Sequence, residues 1–265
     1  MNDIIYIKNI NDLSIWISQL TLRHPLIEII NFSRILIPIP HEKIRIKTGF
    51  YSIMYKKHRI GESFYGNEKL DFKESTVLCM RPQQVITFYS ESMQMQPEGY
   101  IIFFHPELIK RHPLGQTLYN YTFFNYEVNE ALFLSPNERE ILVSIINKMN
   151  QELNANIDDF TEDLLVSNLE VLLTYLKRFY SRQFITRKNE NSYIVARFES
   201  FLLQYIQSER LKTDGIPSVS YCSEQMNYSD YYLSDLLKKE TGRTTHEYIL
   251  YHVIEKAKNF SLVLI

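Results

Sequence analysis

Cysteine is nearly missing from this chain of 265 residues: Cys79 and Cys222 are the only two. They are too few and too far apart for a disulfide framework or a thiolate zinc site, and both read as buried thiols. Glycine is scarce as well. With 7 glycines the chain has little material for a phosphate-cradling loop, and it carries neither a dinucleotide fingerprint nor a Gly-x-Ser-x-Gly elbow. No apolar run reaches the length of about 18 residues that a spanning helix requires. The N-terminus shows no basic stretch leading into an apolar one, so secretion is not supported either and the cytoplasm is the expected location. An excess of charge of one sign is also lacking. Lys and Arg number 29 against 31 Asp and Glu, a net charge of −2, so there is no general attraction to nucleic acid or to an anionic membrane, and any DNA binding must be local.

The histidines do not gather into a metal site. His24, His41, His58, His105, His112, His246 and His252 never form a His-x-His pair on one strand face, and His246 and His252 fall on different faces of a helix. A metal-dependent enzyme would need such ligands, so no metal, no cofactor and no catalytic residue is expected. Paired acids such as Asp158 and Asp159 read as charges at a helix N-terminus.

What the chain does have is 45% hydrophobic content in a length that suits two domains. Short strand-like runs at close spacing fill residues 34–104: 34–39, 49–55, 64–72, 76–80, 85–89 and 100–104. Such spacing argues for a sandwich or barrel, with Gly66-Asn67 as a hairpin turn. Tyr51, Tyr55, Phe64, Phe72, Phe88 and Phe103 are candidates to line a barrel interior; they either stack on a ligand or simply fill a small barrel. The texture changes at Pro106. Ser135-Pro136-Asn137-Glu138 then combines an N-cap, a proline at the first helical position and a capping-box glutamate. A second helix, from about residue 160 to 182, carries a wide leucine stripe. Leu165, Leu169, Leu172 and Leu176 on that stripe are the candidate dimer interface. Residues 186–192 are polar and aperiodic, which marks an interdomain linker.

Residues 217–260 carry the most specific pattern. Val219, Cys222, Ser223 and Met226 mark a short amphipathic helix, and Asn227 follows where the chain needs a residue tolerant of positive φ. Ser229 can cap a second helix that sends Tyr232, Leu233, Leu236 and Leu237 inward, with Thr241-Gly242 as its stop. Thr244 and Glu247 form a capping box that opens a third helix. The outward stripe of the second helix, Asp230, Tyr231, Ser234, Asp235 and Lys238, together with Ser229, is the candidate DNA-reading surface. The plainer reading is a helical hairpin with a solvated polar face. From Ser192 onward eight Lys or Arg stand against nine Asp or Glu, a weak footprint for a DNA binder.

The run Ser229-x-x-Tyr232-Leu233-x-x-Leu236-Leu237-Lys238-Lys239-x-Thr241-Gly242 resembles the first helix-turn-helix of the AraC/XylS transcription regulators. More loosely, Gly99 to Pro106 and Asn129 to Ser135 are similar to that family's sensor domain. The resemblance implies an α+β chain: a cupin-like β-barrel over residues 1–134, a helical pair over 135–185 that dimerises, the linker at 186–192, and an all-α DNA-binding region over 193–265. Its implied function is transcription regulation through sequence-specific DNA binding, controlled by a small-molecule effector in the barrel of a homodimer. Family members carry two helix-turn-helix units, and the sequence stops where the second would begin. Weak DNA binding by this form is therefore expected, and a dimeric ligand-sensing protein that no longer reads DNA is the alternative.

Overall fold

The computed structural model describes residues 4–13, 22–32, 44–57, 63–65, 68–70, 75–88 and 98–263. The chain is α+β and divides into two compact units. Unit 1 comprises residues 1–124 and 131–180, and unit 2 comprises 125–130 and 181–265.

Unit 1 holds the strands β1 (Ile4–Ile7), β2 (Ile27–Asn31), β3 (Ile44–Thr48), β4 (Tyr51–Lys56), β5 (Ser63–Tyr65), β6 (Glu68–Leu70), β7 (Thr76–Met80), β8 (Val85–Phe88), β9 (Gly99–Phe104) and β10 (Leu132–Phe133). They form a five-stranded antiparallel sheet in the order β10-β7-β4-β9-β2, a three-stranded sheet β1-β3-β8, and a β5-β6 ribbon. Among the described residues the five-stranded sheet is not closed into the expected barrel: β2 pairs only with β9 and the two-residue β10 only with β7. In the β5-β6 ribbon Tyr65 stands opposite Glu68, the register of a two-residue connection. The strand expected at 34–39 lies outside the described residues, as does the Gly66-Asn67 turn itself. Gly99 begins β9 with φ 144°, and a Cβ there would lie 2.0 Å from the Tyr55 carbonyl oxygen, so glycine is what lets β9 close on β4.

Strand parity decides what each face of this sheet does. Tyr51 pairs with Phe104, Ile53 with Ile102 and Tyr55 with Tyr100, so these side chains share one face; Ser52, Met54, Ile101 and Phe103 take the other. On the first face Tyr51 stacks on Phe104 with ring centres 5.0 Å apart and meets Phe124 edge-on at 5.0 Å. Phe124 adjoins Phe123, which in turn stacks on Tyr180. An aromatic seam thereby joins the sheet to its helical layer.

That layer contains α1 (Pro106–Ile109), α2 (Pro113–Thr117), α3 (Pro136–Asn154) and α4 (Thr161–Thr186). Both arms of the capping box at α3 are formed: the Glu138 amide donates to Ser135 Oγ at 3.4 Å and the Ser135 amide donates to Glu138 Oε2 at 2.9 Å. Leu142, Ile146 and Met149 of α3 are buried. On α4 the structure corrects a second expectation. Leu165, Leu169, Leu172 and Leu176 are each 0% exposed in a single chain, because these four side chains are consumed by the chain's own core. The outer side of α4 shows Leu164 and Val171 instead.

Unit 2 contains α5 (Lys188–Gln207), α6 (Arg210–Thr213), α7 (Val219–Met226), α8 (Asp230–Thr241) and α9 (Thr245–Val263). Residues 186–192 are not the irregular linker their polarity suggests. Helix α4 ends at Thr186, Arg187 breaks it at φ −94° and ψ 27°, and α5 starts at once. The reason is Asn191, which is buried and donates from Nδ2 to the Phe184 carbonyl at 2.5 Å and to Glu240 Oε1 at 3.0 Å. A polar side chain here fastens a corner between helices. Among the described residues, no helix is long and apolar enough to cross a membrane.

Candidate nucleic-acid interface

Local chemistry builds a helix-turn-helix from α7 and α8. Ser218 caps α7, its Oγ accepting from the Tyr221 amide at 3.1 Å, and Cys222, Ser223 and Met226 turn inward. Burial pushes the Cys222 thiol up to about 12, which leaves it an inert packing group. The helix stops at Asn227, whose φ of 59° and ψ of 43° place it in the left-handed region. The Asn227 and Tyr228 amides close on Glu224 and Ser223 carbonyls at 3.1 and 3.0 Å, so the turn satisfies groups the helix end would otherwise orphan. Arg197 of α5 adds a bond from Nη2 to the Met226 carbonyl at 3.1 Å. Ser223 is buried, as the close crossing of the two helices requires.

Helix α8 starts on Ser229, whose Oγ accepts from the Tyr232 amide at 3.1 Å. Tyr232, Leu233, Leu236 and Leu237 are all buried, and Gly242 at φ 76° terminates the helix. Helix α9 opens on the Thr244 and Glu247 capping box, with bonds of 2.8 and 3.4 Å.

The six candidate DNA-reading residues lie along α8 as expected, but they are not equally available. Tyr231 is 49% exposed, Lys238 is exposed and Ser234 is half-buried. Asp230 accepts a bond of 2.6 Å from Ser220 Oγ on α7, so it locks the two helices together. Asp235 accepts from the Tyr126 hydroxyl at 2.6 Å. Neither carboxylate is an idle acceptor for a cytosine amino group. Ser229 is also engaged twice, as cap and as donor.

The residues that engage Ser229 and Asp235 escaped the sequence reading. The chain enters unit 2 at Asn125 and leaves it after Glu130. Within this segment Glu130 is 2% exposed. Its Oε1 accepts from the Ser229 amide at 2.6 Å and its Oε2 from Ser229 Oγ at 2.5 Å and the Glu127 amide at 2.6 Å. Burial pushes the Glu130 carboxyl up to about 7, against the pull of the Ser229 and Glu127 donors. Tyr126 packs edge-on against Tyr232 with ring centres 5.2 Å apart, and Asn129 Nδ2 reaches the Asn227 carbonyl at 3.4 Å. One signal was present in the sequence: Ser229 is followed at the third helical position by Tyr232 and not by the Glu or Gln of a capping box.

A cavity of about 520 Å³ opens beside this segment within unit 2, walled in part by Asn129, Arg187, Glu190, Tyr193, Tyr228 and Tyr232. In unit 1 the candidate ligand aromatics do not converge. Tyr51 and Tyr55 share one face of the sheet, where Tyr51 enters the seam with the helices, while Phe103 lies on the opposite face, packed edge-on against Phe50 at 5.2 Å. A one-residue difference in strand parity separates them. Phe72 lies outside the described residues, as do the side chains of Phe64 and Phe88.

Comparison of the sequence with protein-family models and with curated proteins finds no match.

Proposed function

We propose that the chain is a transcription regulator of AraC type that binds DNA through α7 and α8 and responds to a small molecule taken up by its N-terminal, cupin-like unit. The observation that carries this reading is the left-handed Asn227 between two capped amphipathic helices, the second of which exposes Tyr231 and Lys238 on one side. A tight turn of this kind holds the second helix at the angle at which it enters a major groove. Tyr231 and Ser234 then face base edges, and Lys238 adds attraction to phosphate. Homodimerisation, which the family resemblance implies, uses surface other than the buried leucines of α4.

A competing reading is a ligand-sensing protein without DNA recognition, and the engaged Asp230 and Asp235 favour it, since negative charge on the reading helix opposes phosphate. One experiment separates the two. Duplexes selected from a random-sequence pool on the full chain are compared with scrambled duplexes by fluorescence anisotropy across a salt series. Preference for the selected sequence, weakened about tenfold or more in Lys238→Glu and fading as salt rises, supports the regulator. Indifference between the two duplexes overturns it.

A further inference from the structure

Helix α8 lacks half of its own cap, and a distant segment supplies it. A complete capping box places a carboxylate on the amide of the capping residue; α3 takes that carboxylate from Glu138 and α9 from Glu247, each three residues along. Helix α8 has Tyr232 in that position, and the carboxylate on the Ser229 amide comes from Glu130, 99 residues earlier. The same segment holds a second residue of the candidate reading surface through Tyr126 and Asp235. Its flanking residues, Phe124 and Ala131, both belong to unit 1.

We propose that residues 125–130 are an inhibitory strap: docked, they keep α8 from DNA by occupying the Ser229 donors with the Glu130 carboxylate and holding Asp235 through the Tyr126 hydroxyl. The inference rests on the DNA-binding reading above. Its physical core is competition. Amides at a helix N-terminus and side-chain hydroxyls are common donors to DNA phosphate oxygens. Glu130 sits on one amide and one hydroxyl of that kind, so a phosphate oxygen approaching Ser229 meets donors already satisfied and a carboxyl oxygen where it would have to lie. Tyr126 adds mechanical hold, because its ring lies against Tyr232 while its hydroxyl crosses to Asp235. The docking is reversible in principle, since every bond in it is a hydrogen bond or a ring contact. A change in unit 1 that draws on Phe124 or Ala131 pulls the strap through its own backbone, which gives an effector a route to α8.

The test uses the full chain, the conservative Tyr126→Phe, Glu130→Gln and double variants, and two readouts. Hydrogen exchange at the Ser229 amide reports the strap without any DNA. Anisotropy with the selected duplex reports α8, with Lys238→Glu as the control for specific binding. The expected result is faster exchange at Ser229 in the double variant and about tenfold tighter binding to the duplex, the scale of losing one hydrogen bond to a charged group. Tyr126→Phe, which keeps the ring, should fall between wild type and double variant. Faster exchange with unchanged binding would make the strap a cap alone and overturn the proposal while leaving DNA recognition intact. Tighter binding by the wild type would overturn it too, by showing that the strap supports α8. If exchange quickens but no protein prefers the selected duplex, it is the DNA reading that fails and the inference falls with it.

Discussion

Helices α8 and α9 follow one another in the chain, and their N-termini are capped in opposite ways. At α9 both halves of the cap lie within four residues, Thr244 to Glu247, in the open. At α8 the hydroxyl half is local and the carboxylate half comes from the buried Glu130. The first kind of cap forms whenever its helix forms. The second exists only while a remote segment is docked, so it makes the end of one helix depend on the position of another part of the chain. The two carboxylates show the difference in their acidity. Donors from Thr244 hold Glu247 below the ordinary range, whereas burial drives Glu130 up to about 7.

The largest effect that tests this contrast should come from Ser229→Ala. It removes the acceptor for the Tyr232 amide and leaves a buried Glu130 oxygen short of a donor, so the expected loss is about 2–3 kcal/mol of unit 2 stability, against about 1 kcal/mol for Thr244→Ala at the exposed box. Chemical denaturation followed by hydrogen exchange on peptides of unit 2 measures both. Equal losses would mean that the borrowed half contributes nothing.

A second effect is a pH dependence localised to the strap. Glu130 titrates in the folded chain at about 7 against an ordinary value of 4.5. Its folded value is the higher one, so its contribution to stability is fully present below 4.5 and is lost as pH rises through 7. The groups that face it are Glu127 on its own segment and Ser229, Tyr228 and Tyr232 at the start of α8. Of these only Glu127 carries charge near neutrality, and its repulsion acts in the same direction as burial. Unit 2 should therefore be less stable, and the Ser229 amide less protected relative to its intrinsic exchange rate, at pH 8 than at pH 5. Glu130→Gln should flatten that slope; an unchanged slope would assign it to another group.

The same division between local and borrowed contacts explains what was legible in the sequence. Ser135 with Glu138, Thr244 with Glu247, the turn at Asn227 and the inward set Tyr232, Leu233, Leu236 and Leu237 all depend on residues within a few positions of one another, and all are found as read. Strand positions such as Thr76–Met80 were equally plain from β-branched and apolar runs. Three features were not legible because each depends on distant partners. Sheet closure is decided by which edges pair, the fate of the α4 leucines by what the rest of unit 1 lays against them, and the faces of Tyr51 and Phe103 by register. The polar stretch around Asn191 misled for the same reason: its role is visible only once the Phe184 carbonyl and Glu240 stand beside it. For the candidate site, the helix and its exposed Tyr231 and Lys238 were readable; the strap that engages Ser229 and Asp235 was not.

The smallest effect is the mirror image of the pH dependence, at α9. Glu247 is held low chiefly by the Thr244 amide and then by its hydroxyl. A carboxyl depressed in the folded state contributes stability above its ordinary value of 4.5 and loses it as pH falls further. Its window therefore begins where that of Glu130 ends. Because Glu247 is fully exposed, water and salt screen the contribution, and Glu247→Gln should change only the acid side of the profile, by little, and less at high salt. Exchange at the Thr244 amide, followed between pH 5 and pH 3 in wild type and variant, reads it directly. Should Glu247→Gln instead alter the profile between 4.5 and 7, the two caps would be coupled, and α8 and α9 would respond to the strap as one body and not through the end of α8 alone.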